Sequence, residues 1–349
     1  LHPAFRRTHC IKETKLSLAT IFQEHPNRRY IEFGGKGGLG KTTFSAATAY
    51  WLAKQGYKVL VFSVDPQASL SDIFERDIFG KGAVEIMPGL FAQEIDADQR
   101  IREYQEEIRQ KIRDMYGMDE IPEEIENYIQ ATAAEPAMEE SAIFDAVVDI
   151  VVGAEYDYYI YDLVPLGHAL YYLSMASVYD QWIDKITSLR QEMQEYAQVA
   201  AILERQKETE EDQILAELQY IKNRINTSSG ILTDREKTAF FFVVTPEEMI
   251  ILDTQKAAKL FAKYDVPICG YIVNRVIPPE LAQQEIPAYL RHRIEMQDKY
   301  LAKIDKTFGE DVLTRVPEFE RDITGLEMIG KVADALFGSA EPVEAGGEA

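Results

Sequence analysis

Between Gly34 and Thr43 the chain reads Gly-Gly-Lys-Gly-Gly-Leu-Gly-Lys-Thr-Thr, a run that leaves few choices for the fold around it. From Gly35 to Thr42 it has the spacing G-x-x-x-x-G-K-T, in which successive backbone N–H groups wrap around phosphates. Such a loop functions between a strand and a helix, and its neighbours comply. Tyr30-Ile31-Glu32-Phe33 leads in as a short strand, and Thr42 to Ala53 has helical composition. Five glycines between positions 34 and 40 are expected to keep side chains out of the path of the phosphates. A glycine-rich turn without a ligand is the competing reading, and the flanking strand and helix weigh against it. For a bound nucleotide, Gly35, Gly37, Gly38, Leu39 and Gly40 line the cradle. Lys41 reaches the β- and γ-phosphates, Thr42 offers its hydroxyl to Mg²⁺, and Thr43 touches the α-phosphate.

Further strands alternate with helices. Val59 to Val64, Leu90 to Ile95, Tyr158 to Tyr161, Phe240 to Val244 and Ile268 to Val273 read as strands, with a helix through Leu252 to Phe261 between the last two. The fold class expected is therefore α/β, a doubly wound and mostly parallel sheet that binds its ligand outside the carboxyl ends of the strands. Two stretches break the alternation. Ile101, Tyr104, Ile108 and Ile112 recur at helical spacing in an acidic insertion over about 97–152. A second insertion, about 176–232, has apolar helical spacing from Ile183 to Leu203 and again from Ile214 to Ile225, the two separated by a charged gap. It reads as a helical hairpin. Residues 1–28 read as a polar extension, 29–337 as one nucleotide-binding domain carrying both insertions, and 338–349 as a disordered acidic tail.

Two aspartates stand at strand ends where a Mg²⁺–nucleotide site needs them. Asp65 opens Asp65-Pro66-Gln67-Ala68-Ser69-Leu70-Ser71, and Asp162 closes Tyr158-Tyr159-Ile160-Tyr161-Asp162. Either alone would pass as a turn former. Beside a phosphate loop, Asp162 becomes the candidate to hold Mg²⁺, and Asp65 the candidate to orient the attacking water or to share the metal; the two roles are exchangeable.

Composition excludes several classes. The 37 basic against 59 acidic residues, net −22, offer no basic face for nucleic acid. No apolar run has the length of a membrane span. Cys10 and Cys269 form no C-x-x-C pair, and the five histidines have no metal-ligand spacing. Cys269, beside a core strand, reads as a buried structural thiol. The first residues show no signal or transit pattern, and the expected location is the cytoplasm, peripheral at a membrane if a membrane partner is engaged.

Lys36 is superfluous for cradling phosphates, being either a surface charge or a cation aimed at a nucleotide from outside the loop. The K-G-G-x-G-K-T spelling resembles the deviant loop of the dimeric switch ATPases, in which the early lysine crosses to the partner's phosphates. Asp162-Leu163-Val164-Pro165-Leu166-Gly167-His168-Ala169-Leu170 narrows this. It resembles the D-T-A-P-T-G-H-T-L switch of the arsenical pump-driving ATPase family, which includes the ATPases that target tail-anchored proteins. Pro136 to Glu140, Val243-Val244-Thr245-Pro246-Glu247-Glu248-Met249 and Val273-Asn274-Arg275 agree with it, so the resemblance spans Arg29 to Leu336.

The resemblance implies a P-loop ATPase that works as a homodimer, with Lys36 supplied in trans to catalysis beside Lys41 and Asp65. It implies Asn274 on adenine, Pro317 packed near the base, and His168 as a switch residue that reports the γ-phosphate. It also implies a membrane protein as partner or client: an anion permease for arsenite or antimonite, or alternatively a tail-anchored protein. Two departures stand out. Ser69 occupies the place of an asparagine in the family's D-P-A-H-N-L-S, and the cysteines of its metalloid and zinc sites have no counterparts.

Overall fold

The computed structural model describes residues 18–65, 67–116, 120–133, 136–162, 181, 183–188 and 213–338. Eight strands form one sheet: β1 (Tyr30–Gly34), β2 (Val59–Ser63), β3 (Val84–Met87), β4 (Leu90–Glu94), β5 (Tyr158–Asp162), β6 (Thr238–Val244), β7 (Ile268–Val276) and β8 (Val312–Pro317). Their order across the sheet is β3-β4-β2-β5-β1-β6-β7-β8, parallel throughout except for the antiparallel β3–β4 pair. The helices are α1 (Leu18–Glu24), α2 (Lys41–Lys54), α3 (Ser69–Phe74), α4 (Ala97–Tyr116), α5 (Glu123–Ala133), α6 (Pro136–Gly153), α7 (Gln213–Thr233), α8 (Glu248–Lys263), α9 (Ala288–Phe308) and α10 (Gly325–Phe337).

A parallel sheet covered on both faces needs strands that are apolar on both sides. The central strands meet that need: every residue of β2, β5 and β6 is buried. Phe33 stacks on Phe241 at 5.6 Å and meets Phe44 of α2, so α2 packs on this face with α1 and α10. On the other face Phe240 and Phe242 hold Phe261 of α8, and Tyr271 stacks on Phe308 of α9 at 4.1 Å.

The order places β1 between β5 and β6. The chain leaves β1 toward β2 on one side and later continues from β5 to β6 on the other, so the carboxyl ends of β5, β1 and β6 surround the point where the direction reverses. That is where an open α/β sheet leaves its crevice.

The extension expected over residues 1–28 is not separate along its whole length. Leu18, Ile21 and Phe22 are buried, and Phe22 packs against Trp51, Tyr158 and Phe337, because a helix with three large apolar side chains on one face must cover them. Residues 1–17, the charged gap from 204 to 212, and 339–349 lie outside the described residues.

Helices α4, α5 and α6 fill the first insertion, and α7 supplies one arm of the expected hairpin. Ion pairs tie them together. Arg100 of α4 reaches Asp145 at 2.6 Å and Asp149 at 2.8 Å on α6, and Arg224 of α7 pairs with the same two carboxylates.

In β1 a buried acid breaks the apolar rule. Glu32 lies in β1 in register with Tyr161 and Phe240, is buried, and burial alone pushes its carboxyl up to about 8. Between pH 4.5 and 8 the folded chain thus holds a proton that the unfolded chain has released, so stability falls as pH rises through that window. Glu32→Gln should remove this decline. The variant is expected to match the parent near pH 4.5 and to exceed it by about 4 kcal/mol at pH 8 in denaturant titrations. Parallel pH profiles for the two proteins would contradict the assignment.

Candidate nucleotide site

The loop leaves β1 at Gly34 and enters α2 at Lys41, and its glycines serve two different purposes. A Cβ on Gly34 would stand 2.2 Å from the Phe240 ring, one on Gly35 2.9 Å from the Val243 carbonyl, and one on Gly40 2.5 Å from Asn274 Nδ2. Protein packs against these three, a reason for glycine separate from the room for phosphates expected of all five. A Cβ on Gly37 or Gly38 would meet nothing within 4 Å, so these two positions face open space. Gly38 and Gly40 also take φ of 76° and 96°, which side chains resist.

Helix α2 starts without a cap. Gly40 has no side chain to offer, and the first hydrogen bond into the helix runs from Phe44 N–H to the Gly40 carbonyl. The N–H groups of Lys41, Thr42 and Thr43 therefore have no partner within the helix, and its positive end faces the loop. This is the local chemistry of a phosphate site.

Around it the structure brings together most of the residues expected. Lys41 is buried and its Nζ donates to the Lys36 carbonyl at 3.3 Å. Burial pulls its pKa down, while Asp162 and Asp65 pull it up. Asp162 is 3 % exposed and accepts from Thr42 Oγ1 at 2.6 Å and Ser45 Oγ at 3.2 Å. Burial raises its carboxyl to about 6, against the opposing effects of Thr42, Lys41 and Ser45. A buried carboxylate facing a threonine hydroxyl, a lysine and a free helix terminus is a donor set that fits Mg²⁺ and phosphate together.

Ser45 carries no motif, and the signal that could have found it is its spacing three residues after Thr42, which puts both hydroxyls on one face of α2. Asp65 lies just past β2; its N–H donates to Ser63 Oγ at 3.1 Å and its Oδ1 accepts from Gln67 N–H at 3.0 Å.

Asn274 is held more tightly than a base-reading residue alone requires. Its Nδ2 donates to the Leu39 carbonyl at 2.7 Å and its Oδ1 accepts from Arg275 N–H at 2.8 Å, so it braces the loop from behind. Pro317 ends β8 opposite Val276, on the strand beside Asn274. Lys36 reaches outward instead: 57 % exposed, its Nζ lies 3.4 Å from Asp253 of α8. His168 and Pro66 fall outside the described residues. Cys269 is buried in β7, as expected of a structural thiol. Among the described residues no helix is long and apolar enough to cross a membrane.

Comparison with known proteins bears on what this site serves. The sequence profile of the family described as anion-transporting ATPase matches residues 28–338. A protein of Aquifex aeolicus provisionally named arsenical pump-driving ATPase 1 is 31% identical over 319 residues, covering 90% of this chain and 80% of its own. A second from the same organism, provisionally named arsenical pump-driving ATPase 2, is 31% identical over 310 residues, covering 88% of this chain and 99% of its own. The ATPase GET3 of Malassezia globosa is 28% identical over 320 residues, covering 90% and 92%.

Gly40 tests the packing argument. Gly40→Ala places a methyl on Asn274 and demands a left-handed backbone from alanine, so the loop must move. Binding of a fluorescent ATP analogue is expected to weaken at least about tenfold, in line with a few kcal/mol of combined strain and clash. Unchanged affinity would show that the loop geometry is not what binds.

Proposed function

The chain belongs to the anion-transporting ATPase family and hydrolyses ATP, and from that premise we propose that it acts as a dimeric, nucleotide-driven switch which energises extrusion of arsenite, antimonite or a related anion through a membrane partner. The observation that carries the nucleotide reading is the contact of Thr42 with buried Asp162 beneath the uncapped start of α2.

In this reading the loop amides and the N-terminus of α2 bind the β- and γ-phosphates, and Lys41, half relieved of its hydration, neutralises them. Thr42 and Asp162 hold Mg²⁺, which supplies charge neutralisation at the phosphate oxygens when bound. Asp65 orients the attacking water, since phosphoryl transfer depends mainly on placement and charge. Asn274 still has one N–H free of the Leu39 bond to offer adenine, with Pro317 alongside.

Lys36 acts across the interface between two copies. Its exposure at the mouth of the loop supports this, as do Met249 and Leu252, which stand exposed on α8 beside its partner Asp253. Lys36→Ala is expected to leave ATP affinity within about twofold and to cut turnover by about 10²- to 10³-fold, measured by equilibrium binding and phosphate release. Weakened binding with normal turnover would place the lysine in its own site.

The anion pump leads because the two Aquifex relatives named for it are 31% identical, against 28% for the GET3 relative. The GET3 likeness is the observation that favours a second reading, ATP-dependent targeting of tail-anchored membrane proteins. The two part on the client. Steady-state ATP turnover measured with arsenite, antimonite or a hydrophobic tail-anchor peptide separates them: several-fold stimulation by the metalloid is expected, and stable capture of the peptide without metalloid response would replace the pump by the targeting reading.

A further inference from the structure

Glu94 ends β4 and is 1 % exposed, deep enough that a carboxylate there needs a reason. Its Oε1 accepts from Leu70 N–H at 2.6 Å and its Oε2 from Ser71 Oγ at 2.5 Å; Ser71 Oγ in turn accepts from Ile78 N–H at 3.1 Å. Both gripped residues belong to α3, the helix that follows Asp65.

Helix α3 could have been capped more cheaply. A serine or aspartate at the N-cap satisfies the first N–H groups locally and in contact with water. Here the N-cap is Ala68, which offers nothing, and the acceptor comes from a strand 24 residues away. The gain is a rigid link between α3 and the sheet.

The segment so held is under strain. Ala68 has φ of 53°, left-handed for a residue with a Cβ, and Ser69 Oγ is buried without a partner. A conformation of this kind persists only where surrounding contacts over-determine it, and such places concentrate at catalytic and switch segments. The contacts are on both sides of Asp65. Ser63, opposite Glu94 in the β2–β4 register, takes the Asp65 N–H through its hydroxyl, while Asp65 Oδ1 takes the Gln67 N–H next to strained Ala68.

We propose that Glu94 is a positioning residue for hydrolysis: by clamping Leu70 and Ser71 from β4 it holds the strained start of α3, and with it the carboxylate of Asp65, where the attacking water must be oriented. The inference rests on the assignment of Asp65 to the water.

A double-mutant cycle on the full chain with Mg²⁺ and ATP tests it. Glu94→Ala is expected to lower kcat by about 10²-fold with KM for ATP within about twofold, the signature of a misplaced group and not of lost binding. Glu94→Gln keeps an acceptor for Leu70, and the Ser71 hydroxyl can reverse to accept from its amide, so kcat should return to within a few-fold. Ser71→Ala, which removes one of the two bonds, gives an intermediate loss and serves if Glu94→Ala does not fold. Asp65→Asn is expected to abolish most turnover, and adding Glu94→Ala to it should cost nothing further. Asp65→Asn inactive with Glu94→Ala and Ser71→Ala both at parental kcat would overturn the positioning role alone, as would additive losses in the double mutant. Asp65→Asn at full turnover would overturn the assignment of Asp65 first, and the clamp with it.

Discussion

The structure turns on one buried carboxylate. Asp162 lies beneath the start of α2, and its position is costly, as its raised pKa of about 6 shows. Three side chains offset that cost: the hydroxyls of Thr42 and Ser45 and the Lys41 ammonium. All of them come from α2. The same contacts therefore fix the helix against β5 and gather the positive end of its dipole, a cation and a hydroxyl at a single point. A divalent ion with a phosphate would complete this arrangement by bringing charge of both signs to groups suited to them.

What the sequence discloses follows from how local the cause is. The phosphate loop, the two aspartates and six strands were legible because a ligand-binding turn and an apolar run each depend on adjacent residues. Strand β3 was not, being four residues long, antiparallel, at the sheet edge and only partly buried. β8 ends in proline and alternates weakly, which reads as a loop until β7 is beside it. The reasons for Gly34, Gly35 and Gly40 were hidden in the same way: their neighbours Phe240, Val243 and Asn274 are about two hundred residues distant in the chain. Asn274 itself was noticed for a base and turns out also to brace the loop.

Ser45 and Glu94 show the limit of motif reading from the opposite side. Each is an unremarked polar residue in a segment whose pattern asks only for helix or strand, and each becomes informative through burial next to a charged partner or a helix start. Burial is a property of the assembled sheet. Glu32 makes the same point with no motif at all, since an acidic residue in a central strand reads as a flaw in the pattern until the flanking Tyr161 and Phe240 show how fully it is enclosed.

Among the described residues few elements connect the nucleotide site to the helices of the insertions, and that restricts how hydrolysis can be felt there. Strand β4 passes directly from Glu94 into α4, whose Arg100 joins the carboxylates of α6 to which α7 is also tied. β5, which ends in Asp162, is entered from α6. Glu94 thus connects through two residues to the ion-paired group of helices, whereas the length of β5 separates Asp162 from α6. A displacement of α3 on loss of the γ-phosphate would bear on α4 through Glu94 and on α6 through the ion pairs of Arg100, and ionic contacts at partly exposed positions can re-pair at little cost. The chemistry at the loop can then be common to an anion pump and a targeting factor, with the difference between them residing in which surfaces those helices present.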